Sequence, residues 1–144
     1  MNTIYIQYHN ENIKDKIVQI EQGNWIDLRA AETVEMKAGD FKIISLGISV
    51  LLPDGYEAHI APRSSTFKKF GIIQTNSVGV VDHDYCGPDD IWGYPALAMR
   101  DTVIHEGDRI CQFRIMPVMG DVDLVTVDHL SNKSRGGFGS TGVA

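Results

Sequence analysis

The segment Gly79-Val80-Val81-Asp82-His83-Asp84-Tyr85-Cys86-Gly87 gathers two carboxylates and a tyrosine between glycines. A carboxylate ionised at neutral pH can take a proton from an attacking water, so Asp82 and Asp84 both qualify as a general base. In an extended or hairpin setting the two point the same way. The same residues also suit a solvated turn, where Asp and Gly are common. A second candidate is Pro62-Arg63-Ser64-Ser65, placed where a strand gives way to a helix. The first turn of a helix presents free N–H groups that bind phosphate oxygens. Ser64 and Ser65 add hydroxyl donors, and Arg63 a fork of N–H groups suited to a carboxylate or phosphate. An N-cap serine beside a surface arginine is the plainer alternative. A third is Arg135-Gly136-Gly137-Phe138-Gly139-Ser140-Thr141-Gly142. Its glycines let backbone N–H groups approach an anion, Ser140 and Thr141 add donors, and Phe138 can stack on a planar base. It lacks the GK[ST] ending of a Walker loop, and the five histidines show no metal-ligand spacing such as HExxH.

Short alternating segments bounded by turn residues must position these groups, the pattern of an antiparallel all-β domain. Leu46, Ile48, Val50 and Leu52 alternate up to the turn Pro53-Asp54-Gly55, and Tyr56 to Ala61 resumes, which predicts a hairpin. Thr102-Val103-Ile104 is expected to pair with Arg109 to Ile115 across Glu106-Gly107-Asp108. There Cys111, Phe113 and Ile115 share one side, and Ile110, Gln112 and Arg114 the other. One helix of about two turns is predicted over Ser64 to Gly71, with hydroxyls at its start and Gly after its last apolar residue. Ile13, Ile17 and Ile20 fit a helix or a loop equally. Residues 1–130 are thus one β-rich domain, and the glycine-rich 131–144 a flexible arm.

The 144-residue chain has a net charge of −6, 43% hydrophobic and 22% charged residues, which suits one domain and excludes a disordered tail protein. No apolar stretch can span a bilayer, so no membrane partner is expected. With no run of Lys and Arg, direct nucleic-acid binding is not expected either. Cys86 and Cys111 lie apart without a CxxC pair and are expected to be reduced thiols. The N-terminus shows no secretory pattern, so the expected compartment is the cytoplasm.

Together these segments closely resemble the trimeric deoxyuridine triphosphatase family, of bacterial or bacteriophage type, whose five motifs occur here in order. Asp27-Leu28 with Glu32 resembles the first, although Asn24-Trp25-Ile26 stands where small residues often precede the Asp. Pro62 to Ser65 resembles the second, Asn76 to Gly87 the third, Gly107-Asp108-Arg109-Ile110-Cys111-Gln112 the fourth, and Gly136 to Gly142 the fifth. The resemblance implies a distorted jelly-roll β-barrel, assembled as a homotrimer that shares its active sites and closes them with the C-terminal arm. It implies hydrolysis of dUTP to dUMP and pyrophosphate with Mg²⁺. Asp82 would activate the water that attacks the α-phosphorus in line. Tyr85 would pack beneath the deoxyribose, and the backbone around Asn76, Gly79, Val81 and Tyr85 would read uracil. Ser64, Ser65, Gln112, Arg135, Gly139, Ser140 and Thr141 would hold phosphates, with Phe138 on the base. Arg63 would serve catalysis by pairing with an acid of the site, and Asp27 would reach the metal through water. Arg135 precedes Phe138 by three positions where the family commonly has five, so Lys133 and Arg135 both remain candidates for the γ-phosphate. Cys86 and the loop Pro88-Asp89-Asp90-Ile91-Trp92 are variant. The rival enzyme is a dCTP deaminase, told apart by ammonia release; its deaminating Thr-Leu-Glu run is missing from the third segment. A dUTPase-fold protein that acts by contacting a regulatory protein, such as a repressor, is the rival from another class.

Overall fold

The computed structural model describes residues 1–139. Its strands are β1 (Tyr5–Tyr8), β2 (Ile26–Arg29), β3 (Val34–Met36), β4 (Phe41–Ser45), β5 (Ile48–Leu51), β6 (Tyr56–Pro62), β7 (Ile72–Gln74), β8 (Gly79–Val81), β9 (Gly93–Ala98), β10 (Thr102–Ile104) and β11 (Arg109–Pro117), with one α-helix, α1 (Thr66–Phe70). All pairings are antiparallel. The central sheet runs β2-β11-β6-β8, a second runs β4-β9-β7, and β1-β5 and β10-β3 form two ribbons. The sheets remain open, so the architecture is an all-β, jelly-roll-like fold and not a closed barrel.

Alternation forms the inner faces. Tyr94, Ala96 and Ala98 of β9 are fully buried, as are Cys111 and Phe113 of β11, whereas Pro95, Leu97 and Gln112 between them are half-exposed. Trp92 meets Phe113 edge to face, centroids 5.2 Å apart at 88°, an arrangement worth about 0.5–1.5 kcal/mol beyond area burial. Burial pushes the Tyr94 phenol and the Cys111 thiol up, so both stay neutral. Both cysteines are free thiols, Cys86 exposed.

Several sequence expectations change. The turn at Pro53-Asp54-Gly55 forms, with Tyr56 N–H donating to the Pro53 carbonyl at 3.2 Å. Its flanks do not make a hairpin, because β5 pairs with β1 while β6 pairs with β11 and β8. Likewise β10 pairs with β3, and β11 with β2 and β6. Both turns therefore pass the chain between sheets, since alternation fixes which face is buried but not which strand lies alongside. The register shifts between Arg109 and Cys111, and Ile110 joins Cys111 in the core instead of the outer face. Helix α1 has five residues, not two full turns. Ser65 makes no side-chain cap; Thr66 Oγ1 accepts from Arg63 N–H at 2.8 Å and donates to the Ile110 carbonyl at 2.9 Å. Gly71 ends the helix with φ +63°, as expected of a left-handed C-cap. Near the N-terminus a single 3₁₀ turn covers Glu11–Ile13; Ile13 and Ile17 are buried and Ile20 is exposed.

Candidate active site

The candidate residues fall into two clusters, one at the Pro62 end of β6 and one along the edge strand β8 and the turn that follows it. Three central strands build the first. Asp27 on β2, Gln112 on β11 and Ala61 on β6 lie in one cross-strand row, on the face away from the core. Arg63 Nε reaches Asp27 Oδ1 at 2.9 Å, and Arg109 Nη1 lies 3.4 Å from Asp27 Oδ2. The side chains of Arg63 and Asp27 are only 21% and 22% exposed, so this pair is more than a solvated surface contact. Arg63 Nη1 also donates to the Arg109 carbonyl at 3.4 Å, and Gln112 Nε2 to the Pro62 carbonyl at 3.1 Å. Ser64 is exposed and Ser65 half-buried directly beyond. A cavity of about 350 Å³ beside them is lined by Arg29, Arg63, Lys69 and Arg109 against the single acid Asp108. Its charge excess suits an anion. Arg29, Lys69 and Arg109 were not among the sequence candidates, although the spacing Asp27-x-Arg29 puts both side chains on one face of a strand.

The second cluster is built by a turn. Strand β8 stops at Val81, and Tyr85 N–H donates to the Asp82 carbonyl at 3.1 Å. Asp82 to Tyr85 is therefore a turn, so the shared facing of Asp82 and Asp84 expected of an extended segment does not hold. Asp82 lines a cavity of about 220 Å³ with Asn76, Gly79, Val81, Tyr85 and Ile91, and Asp84 does not. That volume suits one ring better than a whole nucleotide, since drug-sized pockets run to about 300–1,000 Å³. Gly79 leaves the wall open: a Cβ there would lie 3.4 Å from Ile60 Cβ and 3.5 Å from Asn76 Nδ2. Gln74, buried at the end of β7, donates to the Ile60 carbonyl at 2.9 Å and braces the turn holding Asn76. The Tyr85 hydroxyl donates to the Ile91 carbonyl at 3.3 Å.

Strand register keeps Asp82 away from the first cluster. Val81 sits opposite Ala58, and Cys111, next to Gln112, sits opposite Pro62. At about 3.3 Å per residue, the stretch from Ala58 to Pro62 alone is roughly 13 Å, whereas reacting atoms must come within about 3.5 Å. Asp82 and the Ser64/Gln112 end are not brought together within one chain. Glu32 lies away from both, accepting from Ser45 N–H at 2.9 Å and pairing with Lys42 at 3.3 Å. Lys133, Arg135, Phe138 and Gly139 are exposed and, among the described residues, bonded to neither cluster. Ser140 and Thr141 lie outside the described residues.

The dUTPase family model matches residues 14–142. The SPbeta prophage-derived deoxyuridine 5'-triphosphate nucleotidohydrolase YosS of Bacillus subtilis is 58% identical over 139 residues, 96% of this chain and 97% of its own. The deoxyuridine 5'-triphosphate nucleotidohydrolase of Hydrogenobaculum is 44% identical over 70% of each chain. Among solved structures, a mutant dUTPase of Staphylococcus bacteriophage 80alpha with dUpNHpp aligns at a TM-score of 0.81, with 20% identity, over 99% of this chain and all of that one. A mutant dUTPase from phage phi11 of S. aureus, in which a structural Mg(II) ion is coordinated, aligns at 0.74 with 20% identity, over 91% of this chain and all of that one.

Proposed function

The chain belongs to the dUTPase family, and from that premise we propose how its residues divide the hydrolysis of dUTP to dUMP and pyrophosphate. Asp82 is the general base, taking a proton from the water that attacks the α-phosphorus in line. Tyr85 packs beneath the deoxyribose and leaves no room for a 2′-hydroxyl. The backbone from Asn76 through Gly79 and Val81 to Tyr85 reads the uracil edge; a base with the wrong donors would leave buried groups unpaired. Ser64, Ser65 and Gln112 hold the phosphates, and Arg63 acts by fixing Asp27. Residues 131–144 close over the nucleotide, with Phe138 on uracil and Gly139, Ser140, Thr141 and either Lys133 or Arg135 on the phosphates.

The donor set decides how a metal fits. Both oxygens of Asp27 face arginines, and among the described residues no group of three or more His, Cys, Asp or Glu side chains gathers. A Mg²⁺ held mainly by substrate phosphates and water fits this arrangement, and one caged by protein carboxylates does not. Bound in that way, Mg²⁺ would supply charge neutralisation at the phosphate oxygens, and Asp27 would be the residue that helps hold it, through a water.

The separation of the two clusters along β6 carries the proposal that each site joins one end of this chain to the other end of a second copy, in a homotrimer. Exposed apolar residues beyond β11, among them Met119, Leu124, Val125 and Leu130, support such an assembly. Among the described residues no helix is long and apolar enough to cross a membrane, and the proposed setting is the cytoplasm, where free dUTP is the partner. The test is complementation. Asp82→Asn and a Ser64→Ala/Gln112→Ala double variant, each inactive alone, are unfolded, mixed and refolded together. A shared site restores pyrophosphate release in about a third of the sites of every mixed trimer; no recovery would mean that each chain completes its own site.

A further inference from the structure

Loop 86–92 joins the Tyr85 turn to β9, and none of the roles above uses it. Its outer residues have little apolar anchorage: Pro88 and Asp89 are exposed and Ile91 is 39% exposed. Polar contacts hold it instead. Gly87 N–H donates to Asp90 Oδ2 at 2.9 Å, and Asp90 N–H to the Gly87 carbonyl at 3.1 Å, which closes the loop on itself. From β5, the Ser49 hydroxyl donates to the Pro88 carbonyl at 3.1 Å. Ser49 is 4% exposed, and its oxygen lies 2.8 Å from His9 Nε2. With the hydroxyl proton committed to Pro88, the His9 ring is the donor in that contact. Trp92 N–H donates to the Ile48 carbonyl at 2.9 Å. The fastened loop presents the Ile91 carbonyl that receives the Tyr85 hydroxyl.

We infer that Ser49 and Asp90 are positioning residues for sugar discrimination, acting through loop 86–92 to fix the Tyr85 ring. The inference rests on the reading that Tyr85 lies beneath the deoxyribose. A ring that excludes one hydroxyl has little latitude, because a displacement of about 1 Å is enough to change reactivity in a preorganised site. Ser49 lies on the β1-β5 ribbon, which carries no residue assigned to substrate, and its partner Pro88 is 39 residues away in sequence.

The test compares kcat/KM for dUTP and UTP in Ser49→Ala, Asp90→Ala, Asp90→Asn and Tyr85→Ala, with melting temperatures alongside. Ser49→Ala and Asp90→Ala are expected to raise the UTP-to-dUTP ratio roughly three- to thirtyfold. Asp90→Asn, which keeps an acceptor for Gly87 N–H, is expected to stay within about twofold. If Tyr85→Ala raises the ratio while both alanine variants lower only the melting temperature, the positioning role is overturned and the reading of Tyr85 stands. If Tyr85→Ala leaves the ratio unchanged, that reading falls and this inference with it. Should Ser49→Ala fail to fold, the Asp90 pair alone decides.

Discussion

The two clusters beside β6 are built on different principles. At the Pro62 end, charged side chains project from adjacent strands and lock one another, with Asp27 between Arg63 and Arg109. At the Ala58 end the turn beyond β8 works largely through its backbone, and its polar anchors include carbonyls and amides, the Ser49 and Tyr85 hydroxyls and the Asp90 carboxylate. A cation-lined end suits a ligand defined by charge. A backbone-lined end suits one defined by a pattern of donors and acceptors, because N–H and C=O groups keep fixed positions whatever the side chains do.

Substitutions can sharpen this contrast. The largest expected effect lies at the backbone-built end, where Asp82→Asn should lower kcat by about 10²–10⁴ with KM little changed and the melting curve intact. Near-normal turnover would remove Asp82 as the base. At the charge-built end the effect moves to stability: Asp27→Ala leaves two guanidinium groups without their partner and should cost about 1–3 kcal/mol in urea unfolding, with a parallel rise in KM. A variant with unchanged unfolding would mean the row is an accessory to the sheet. The smallest effect lies outside both ends. Glu106 accepts from Asn10, and from Asn12 at 3.0 Å, and these bonds hold its carboxyl below the usual carboxylate range. A folded pKa below the unfolded one stabilises at neutral pH, and that contribution is lost as pH falls through the depressed value. Wild type should therefore melt slightly above Glu106→Gln at pH 7, with the gap narrowing as the solution is acidified; a gap that does not change with pH would show that charge plays no part.

How much was legible in the sequence follows the same division. Groups adjacent in the chain could be read directly, as with Arg63-Ser64-Ser65 and the Gly79 to Gly87 turn. Partners distant in the chain could not. Alternation in β5 and β6 gave their buried faces, but nothing local says that β5 lies against β1. The shift at Arg109 and Cys111 was hidden too, since a bulge changes facing without changing residue type. Asp84 matches Asp82 in residue type and spacing, and only the end of β8 at Val81 separates their surroundings. Ser49 is a serine in an apolar strand, and its link to Pro88 depends on a fold that brings the β1-β5 ribbon to the loop.

The long-range row of the charge-built end also sets an order in time. Asp27 and Arg109, whose side chains meet there, are 82 residues apart in sequence. At roughly 5–20 residues per second, a ribosome takes on the order of 4–16 seconds to span that distance. Strand β2 waits through that interval without its neighbour, its edge unpaired and Asp27 without Arg109. The charge-built end is thus among the last parts of the chain able to form, and a nascent chain stalled before β11 would carry the complete turn of the other cluster without the row that locks Asp27 between its arginines.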